Sequence, residues 1–258
     1  AVVEKPMADA LEDADRMIAA AEAGAGQLLV HQNYRFNAES NLIRSVLADG
    51  RLGDLFHIGY VRHNYKRRND WQCLRRYGGG LLNNHIINPF DMALHLIDAR
   101  IERIFPDLRQ VSDVGDCEDH AKLVMKTTGG ITLDFELSTS AATDRSAPPW
   151  TLLGTCGAMT VDNTAAHLRW FDPGAAPPLE LMEQTVGAER QYGNADTLPW
   201  REEVIEKGPE TPACQGPGFY DAVFATLREG ATFPVRPDQV REVMRVIAEA
   251  RSQNPRFA

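Results

Sequence analysis

His120-Ala121-Lys122-Leu123-Val124-Met125-Lys126-Thr127-Thr128-Gly129-Gly130-Ile131-Thr132-Leu133-Asp134-Phe135-Glu136-Leu137 reads as two alternating runs around a glycine pair. Period-two alternation puts successive side chains on opposite faces of a strand. Two such runs joined by glycines form a hairpin. Working outward, further strands are expected around Ile101 to Leu108, Thr151 to Leu153, Met159 to Val161 and Leu168 to Phe171. A wide strand is expected from Leu55 to Val61. Helical spacing appears in Asp9 to Ala23, in a run through Leu42, Ile43, Val46 and Leu47, and in Leu81 to Leu96. Two more helices close the chain, Phe219 to Arg228 and Pro237 to Arg251. Helical ends, a strand-rich middle and no βαβ repeat there point to an α+β fold with a mostly antiparallel, open-faced sheet. Helices should cover one face. The other must also be covered, which predicts a homodimer or tetramer through the sheet.

The start has a different character. Val2-Val3 is the stub of a strand, and Leu28-Leu29-Val30 is the short apolar run of a buried parallel strand. A helix, a strand and a crossover are what the end of a doubly wound domain looks like. We therefore read residues 1–36 as the end of a dinucleotide-binding (Rossmann) domain and 37–258 as a substrate-binding and oligomerising α+β domain. Asn37 or Ser40 can cap the helix that follows. With no glycine-rich strand–turn–helix ahead of Val2, the apolar faces of residues 1–36 are expected to lack neighbours.

The bulk numbers narrow the functional classes. Hydrophobic content of 43% suffices for a packed core, and a net charge of −9 argues against a nucleic-acid or anionic-membrane surface. No run approaches the ~18 apolar residues of a spanning helix. The four cysteines, Cys73, Cys117, Cys156 and Cys214, are widely spaced, which fits reduced thiols and a cytoplasmic location. Cys117-Glu118-Asp119-His120 has metal-type side chains, but no second cluster joins it, so no metal is expected. There is no Gly-x-Ser-x-Gly elbow.

Several residues carry possible chemistry. Lys5 lies between Glu4 and Pro6, at the end of a strand, where α/β sheets bind ligands. Asn84, Asn88, Asp91 and His95 recur at +4, +3 and +4 and so share a helical face. That face is either the polar wall of a pocket or the outer surface. Asn does not titrate near neutral pH, so His85, one position away, is the local candidate for proton transfer. The segment Lys66-Arg67-Arg68-Asn69-Asp70-Trp71-Gln72 is dense in donors around an aromatic ring. Arg68 suits an oxyanion and Trp71 a sugar-like face.

Taken together, Val2 to Pro6, His31 to Asn37, Gly78 to Asp91, Gly154-Thr155-Cys156-Gly157, and Pro234-Val235 with Val243, Val246 and Ile247 resemble, in order, the motifs of the Gfo/Idh/MocA family of NAD(P)-dependent oxidoreductases. The resemblance implies a C-terminal domain like that of glyceraldehyde-3-phosphate dehydrogenase. It implies NAD or NADP as cofactor, with Glu4, Lys5, Pro6 and Arg35 at the nucleotide, and a sugar- or polyol-like substrate. Lys5, His85 and Asn88 are then the catalytic candidates, and Asn84, Trp71, Arg68, Tyr34 and Asp91 the substrate contacts. The chain departs from the pattern in having Asn88 where the family usually has His, and Ile86 where it usually has Gly. The expected activity is hydride transfer, given a nucleotide-binding half. The alternative is a non-catalytic ligand-binding or oligomerisation module derived from the same family.

Overall fold

The computed structural model describes residues 1–143, 147–179, 181, 183, 193, 197–207 and 217–257. The hairpin forms as expected: β5 (His120–Thr127) pairs antiparallel with β6 (Thr132–Ser138), opposing Leu123 to Phe135. They belong to an eight-stranded sheet in the order β10-β9-β8-β7-β3-β6-β5-β4. The remaining members are β3 (Leu55–His63), β4 (Ile101–Arg109), β7 (Trp150–Gly154), β8 (Gly157–Val161), β9 (Ala165–Trp170) and β10 (Arg201–Glu206). All neighbours run antiparallel except β3 and β6.

One face of this sheet is apolar. Ile58, Tyr60, Leu123, Met125, Leu133, Phe135, Trp150 and Leu152 are buried with side chains of α2 (Ala38–Ala48), α3 (Ile87–Ile97) and α5 (Pro237–Ser252). Phe135 meets both Phe90 and Trp150 edge-on at ring separations of 5.9 and 6.1 Å, a favoured aromatic geometry. The opposite face has half-exposed side chains in ion pairs, such as Lys122 with Asp134 at 2.7 Å, beside Phe105, which is 71% exposed.

The N-terminal residues form a second, smaller core. β1 (Val2–Val3) and β2 (Leu29–Val30) pair in parallel, joined through α1 (Leu11–Ala23). Met7, Ala14, Leu28, Leu29 and Val30 pack with Phe219 of α4 (Pro217–Glu229), with Phe233 and Val235, and with Val240 and Met244 of α5. The apolar faces expected to lack neighbours are thus in large part covered by the chain's own C-terminal helices.

Three local details emerge. Asn37, not Ser40, caps α2: its side chain accepts the Ser40 N–H at 2.7 Å. The helix expected over Leu81 to Leu96 is two pieces, a π-helical turn at Leu82–Ile86 running into α3. β10 was not expected, because Arg201-Glu202-Glu203-Val204-Ile205-Glu206 is mostly charged. It is an edge strand, where charge guards the open hydrogen-bonding row. The loop expected from Gly208 to Pro217 lies, up to residue 216, outside the described residues.

Candidate functional site

The site is organised by the start of the α3 segment. Leu81-Leu82 offers no Ser, Thr, Asp or Asn as N-cap, yet the first helical N–H groups need acceptors. They come from β5's approach. The Glu118 backbone carbonyl accepts Leu81 N–H at 3.2 Å, and Glu118 Oε1 accepts Leu82 N–H at 2.9 Å. Burial raises the Glu118 carboxyl above its ordinary range, against the lowering effect of the Leu82 bond. Gly80 makes room for it: its φ is +98°, and a Cβ there would lie 2.4 Å from Glu118 Oε1. No residue but glycine meets both conditions cheaply.

In the π-helical turn the Ile87 N–H reaches the Leu82 carbonyl, five residues back. Lys5 Nζ donates to the Asn84 carbonyl at 3.1 Å and to that of Asn83 at 3.5 Å. The Lys5 ammonium is partly buried, which lowers its pKa, and Glu4 offsets the effect in part. Sequence reasoning placed Lys5 and Asn84 in one site. It did not show that backbone carbonyls make the bond between them. The Lys5–Pro6 peptide is cis.

The Asn84 amide donates to the Gly80 carbonyl at 2.9 Å. Asn84 and His85 line a cavity together with Lys66, Arg68, Gln72, Cys73, Cys117 and Glu118. A second cavity adjoins it, sharing Leu81, His85 and Thr139 and adding Arg62 and Asn64. A third shares Arg62 and Asn64 and reaches Tyr34, Glu39 and Lys207. Burial first, then the charges of Arg62, Lys66, Lys5 and Arg68, push the His85 pKa down to about 4. His85 is therefore neutral at pH 7.

Other expected residues sit differently. Arg35 and Asp91 are 3% and 1% exposed and bind one another. Nε and Nη2 of Arg35 donate to Asp91 Oδ2 and Oδ1 at 2.7 and 2.6 Å, and Nη1 donates to Gln239 Oε1 at 2.6 Å. Arg35 Nη1 also lies 3.3 Å from His95 Nδ1. The polar stripe of α3 is thus neither an outer surface nor an open wall past Asn88: Arg35 from the crossover covers it. Asn88 is buried, with Oδ1 lacking a partner. Glu4 Oε1 meets His31 Nδ1 at 2.8 Å. Trp71, 52% exposed, stands on a short 3₁₀ turn. Arg68 pairs with Asp70 at 2.6 Å. Glu118 was missed as a site residue. The signal for it was a helix start with no cap of its own.

Among the described residues, no helix is long and apolar enough to cross a membrane, and no group of three or more His, Cys, Asp or Glu is placed to hold a metal.

Comparison with known proteins bears on the fold. Residues 41–160 match the model of the GFO/IDH/MocA C-terminal domain. An uncharacterized oxidoreductase of Schizosaccharomyces pombe is 24% identical over 273 residues, spanning 96% of this chain and 71% of the relative. D-apiose dehydrogenase of Paraburkholderia graminis is 27% identical over 164 residues, 61% of this chain and 42% of that protein. Among solved structures, an Agrobacterium radiobacter oxidoreductase in complex with NAD+, L-tartaric acid and magnesium superposes with a TM-score of 0.76 at 15% identity. It covers 98% of this chain and 71% of that one. At that identity the likeness is one of fold.

Proposed function

We propose that this chain, whose residues 41–160 match the GFO/IDH/MocA C-terminal domain, belongs to that family of oxidoreductases and transfers hydride between NAD or NADP and a sugar- or polyol-like small molecule. The observation that carries the reading is the Lys5 ammonium anchored on the Asn84 carbonyl. The two carbonyls take two of the three ammonium donors, and one remains for a substrate oxygen. That oxygen is a carbonyl in the reducing direction and a hydroxyl in the oxidising direction. A lowered Lys5 pKa brings proton exchange with it closer to neutral pH. Neutral His85 is the second proton-handling group of the same cavity wall. Asn84, Trp71 and Arg68 orient the substrate, with Tyr34 at the far end of the adjoining cavities.

The residues present fit a nicotinamide nucleotide at one end. Lys5 follows the parallel β1–β2 pair, where α/β sheets bind ligands. Asn88 Oδ1 and Gln32 Nε2 are buried polar atoms without partners. Glu4, Lys5 and Pro6 would meet the nucleotide, which supplies the hydride chemistry when bound. Arg35, held by Asp91, would back that contact rather than make it. The sheet face carrying Phe105 would join copies into a homodimer or tetramer, in the cytoplasm.

A second reading, a non-catalytic ligand-binding or oligomerising module, is favoured by Asn88, whose amide cannot shuttle protons. Titration of the natural protein with NADH and NADPH, followed by nicotinamide fluorescence, separates the two. Saturable binding supports the oxidoreductase, and no binding of either nucleotide leaves the module.

A further inference from the structure

Among the described residues, several cations around His85 have no ion-pair partner. Lys66 and Arg68 line the first cavity, Arg62 the adjoining one, and Lys5 approaches from the side of the Asn84 carbonyl. The carboxylates nearby are engaged. Glu118 receives the Leu82 N–H. Asp119 accepts from the N–H groups of Val111 and Ser112 at 2.7 and 2.8 Å and from Ser140 Oγ at 2.9 Å. Asp70 offsets Arg68 and accepts the Gln72 N–H at 3.0 Å. Glu4, next to Lys5, is bonded to His31. Among the described residues Lys5, Arg62 and Lys66 have no carboxylate within ion-pair distance. These three unpaired cations lie together on a protein of net charge −9, so their grouping does not follow from composition. Burial, which already holds His85 neutral, also strengthens any charge interaction in the cavity.

A second observation is independent of charge. Asn64 Oδ1, in the wall shared by the second and third cavities, is buried without a partner. Its backbone is fixed on both sides: its N–H donates to the Ser138 carbonyl at 2.9 Å, and its carbonyl accepts from Ala141 at 3.1 Å. A buried acceptor held this way calls for a donor. A hydroxyl supplies one and a bare anion does not.

We propose that the cavities around His85 take a polyhydroxy anion, a sugar-like molecule carrying a carboxylate or a phosphate, in preference to a neutral sugar. Arg62 and Lys66 receive the anionic group, and Asn64 accepts from a hydroxyl. The inference rests on the oxidoreductase reading for the identity of the reaction, but its binding claim is tested without nucleotide. A neutral analogue would leave the cations unpaired, which is the condition under which such sites discriminate strongly.

The test is isothermal titration of the nucleotide-free natural protein with D-gluconate, D-glucose 6-phosphate and D-glucose. At least one anion should bind tenfold or more tighter than glucose, and added salt should weaken it. The tighter of the two anions identifies the group. Arg62→Gln and Lys66→Gln should each weaken that anion by roughly tenfold, the scale of one hydrogen bond to a charged group. Lys66 is exposed, so its variant keeps the fold even if the other does not. Glucose binding as tightly as both anions, or an anion affinity indifferent to Lys66→Gln and to salt, would overturn the inference. Anion preference in a protein that binds neither NADH nor NADPH would uphold it and remove the oxidoreductase reading. NADH binding with glucose preferred would do the reverse.

Discussion

Replacing Arg35 by leucine asks whether Arg35 and Asp91 touch ligand or hold the site's wall in place. In the structure the guanidinium makes two short bonds to Asp91, one to Gln239 Oε1 and a longer one to the Pro234 carbonyl at 3.3 Å. It thereby ties the Asn33–Phe36 turn and α3 to the segment entering α5. Arg35→Leu leaves a carboxylate that is 1% exposed with no counter-ion. Removing one partner of such a pair costs about 3–5 kcal/mol. For a chain of this size that lowers Tm on the order of 10 °C. The sign with pH follows from the proton. Burial already holds Asp91 above the ordinary carboxylate range with Arg35 present. Without Arg35, the folded state of the variant binds a proton that the unfolded state releases, so the variant loses stability as pH rises. The deficit should therefore be larger near pH 8 than near pH 5. The double variant Arg35→Leu/Asp91→Leu should recover much of the loss, giving a favourable coupling in a double-mutant cycle. Urea unfolding of the four proteins at both pH values measures all of this. An Arg35→Leu protein within about 1 kcal/mol of wild type that has nevertheless lost nucleotide binding would refute the reasoning and return Arg35 to the ligand.

Three further outcomes follow from other parts of the fold. Gly80→Ala should destabilise by roughly 1–3 kcal/mol, because its φ is +98° and the new methyl meets the Glu118 carboxylate; a Tm equal to wild type would contradict this. His85 and His95 are both held down to about 4 by burial and neighbouring arginines. Unfolded histidine titrates near 6.5, so the unfolded state binds more protons between pH 6.5 and 4, and stability should fall as pH falls through that window. His85→Gln and His95→Gln should each flatten the urea-derived curve there, and an unaltered slope in both would refute the assignment. Phe105→Asp on the open sheet face should lower the mass seen by light scattering from that of an oligomer towards that of one chain; an unchanged mass would place the interface elsewhere.

The sheet was legible because its strands obey one rule at a time. In His120 to Leu137 alternation alone decides which side chains go inward, and Leu123, Met125, Leu133 and Phe135 do so. The N-terminal strands and the closing helix were legible for the same reason. What sequence could not supply were pairings set by distance along the chain. Arg35 and Asp91 are 56 residues apart, and each has the chemistry of a ligand contact until the other is seen. Helical spacing grouped Asn84, Asn88, Asp91 and His95, but the π-helical turn separates Asn84, at the cavity, from Asn88 and Asp91, in the interior. The Lys5 contacts were hidden because they fall on backbone carbonyls, which periodicity does not reveal. β10 was hidden by its charges. Glu118 was hidden because its role lies in what the Gly80 helix start lacks.

The central claim is that the Lys5–Asn84 contact marks a site of hydride transfer. Its most direct test is the rate of reduced-nicotinamide formation by the natural protein with NAD+ or NADP+ and a panel of polyols and sugar acids, comparing wild type with Lys5→Met. The account predicts turnover with at least one substrate and a fall in kcat of about a hundredfold or more in the variant, the scale of a lost acid–base group. An equal kcat in wild type and Lys5→Met would contradict it.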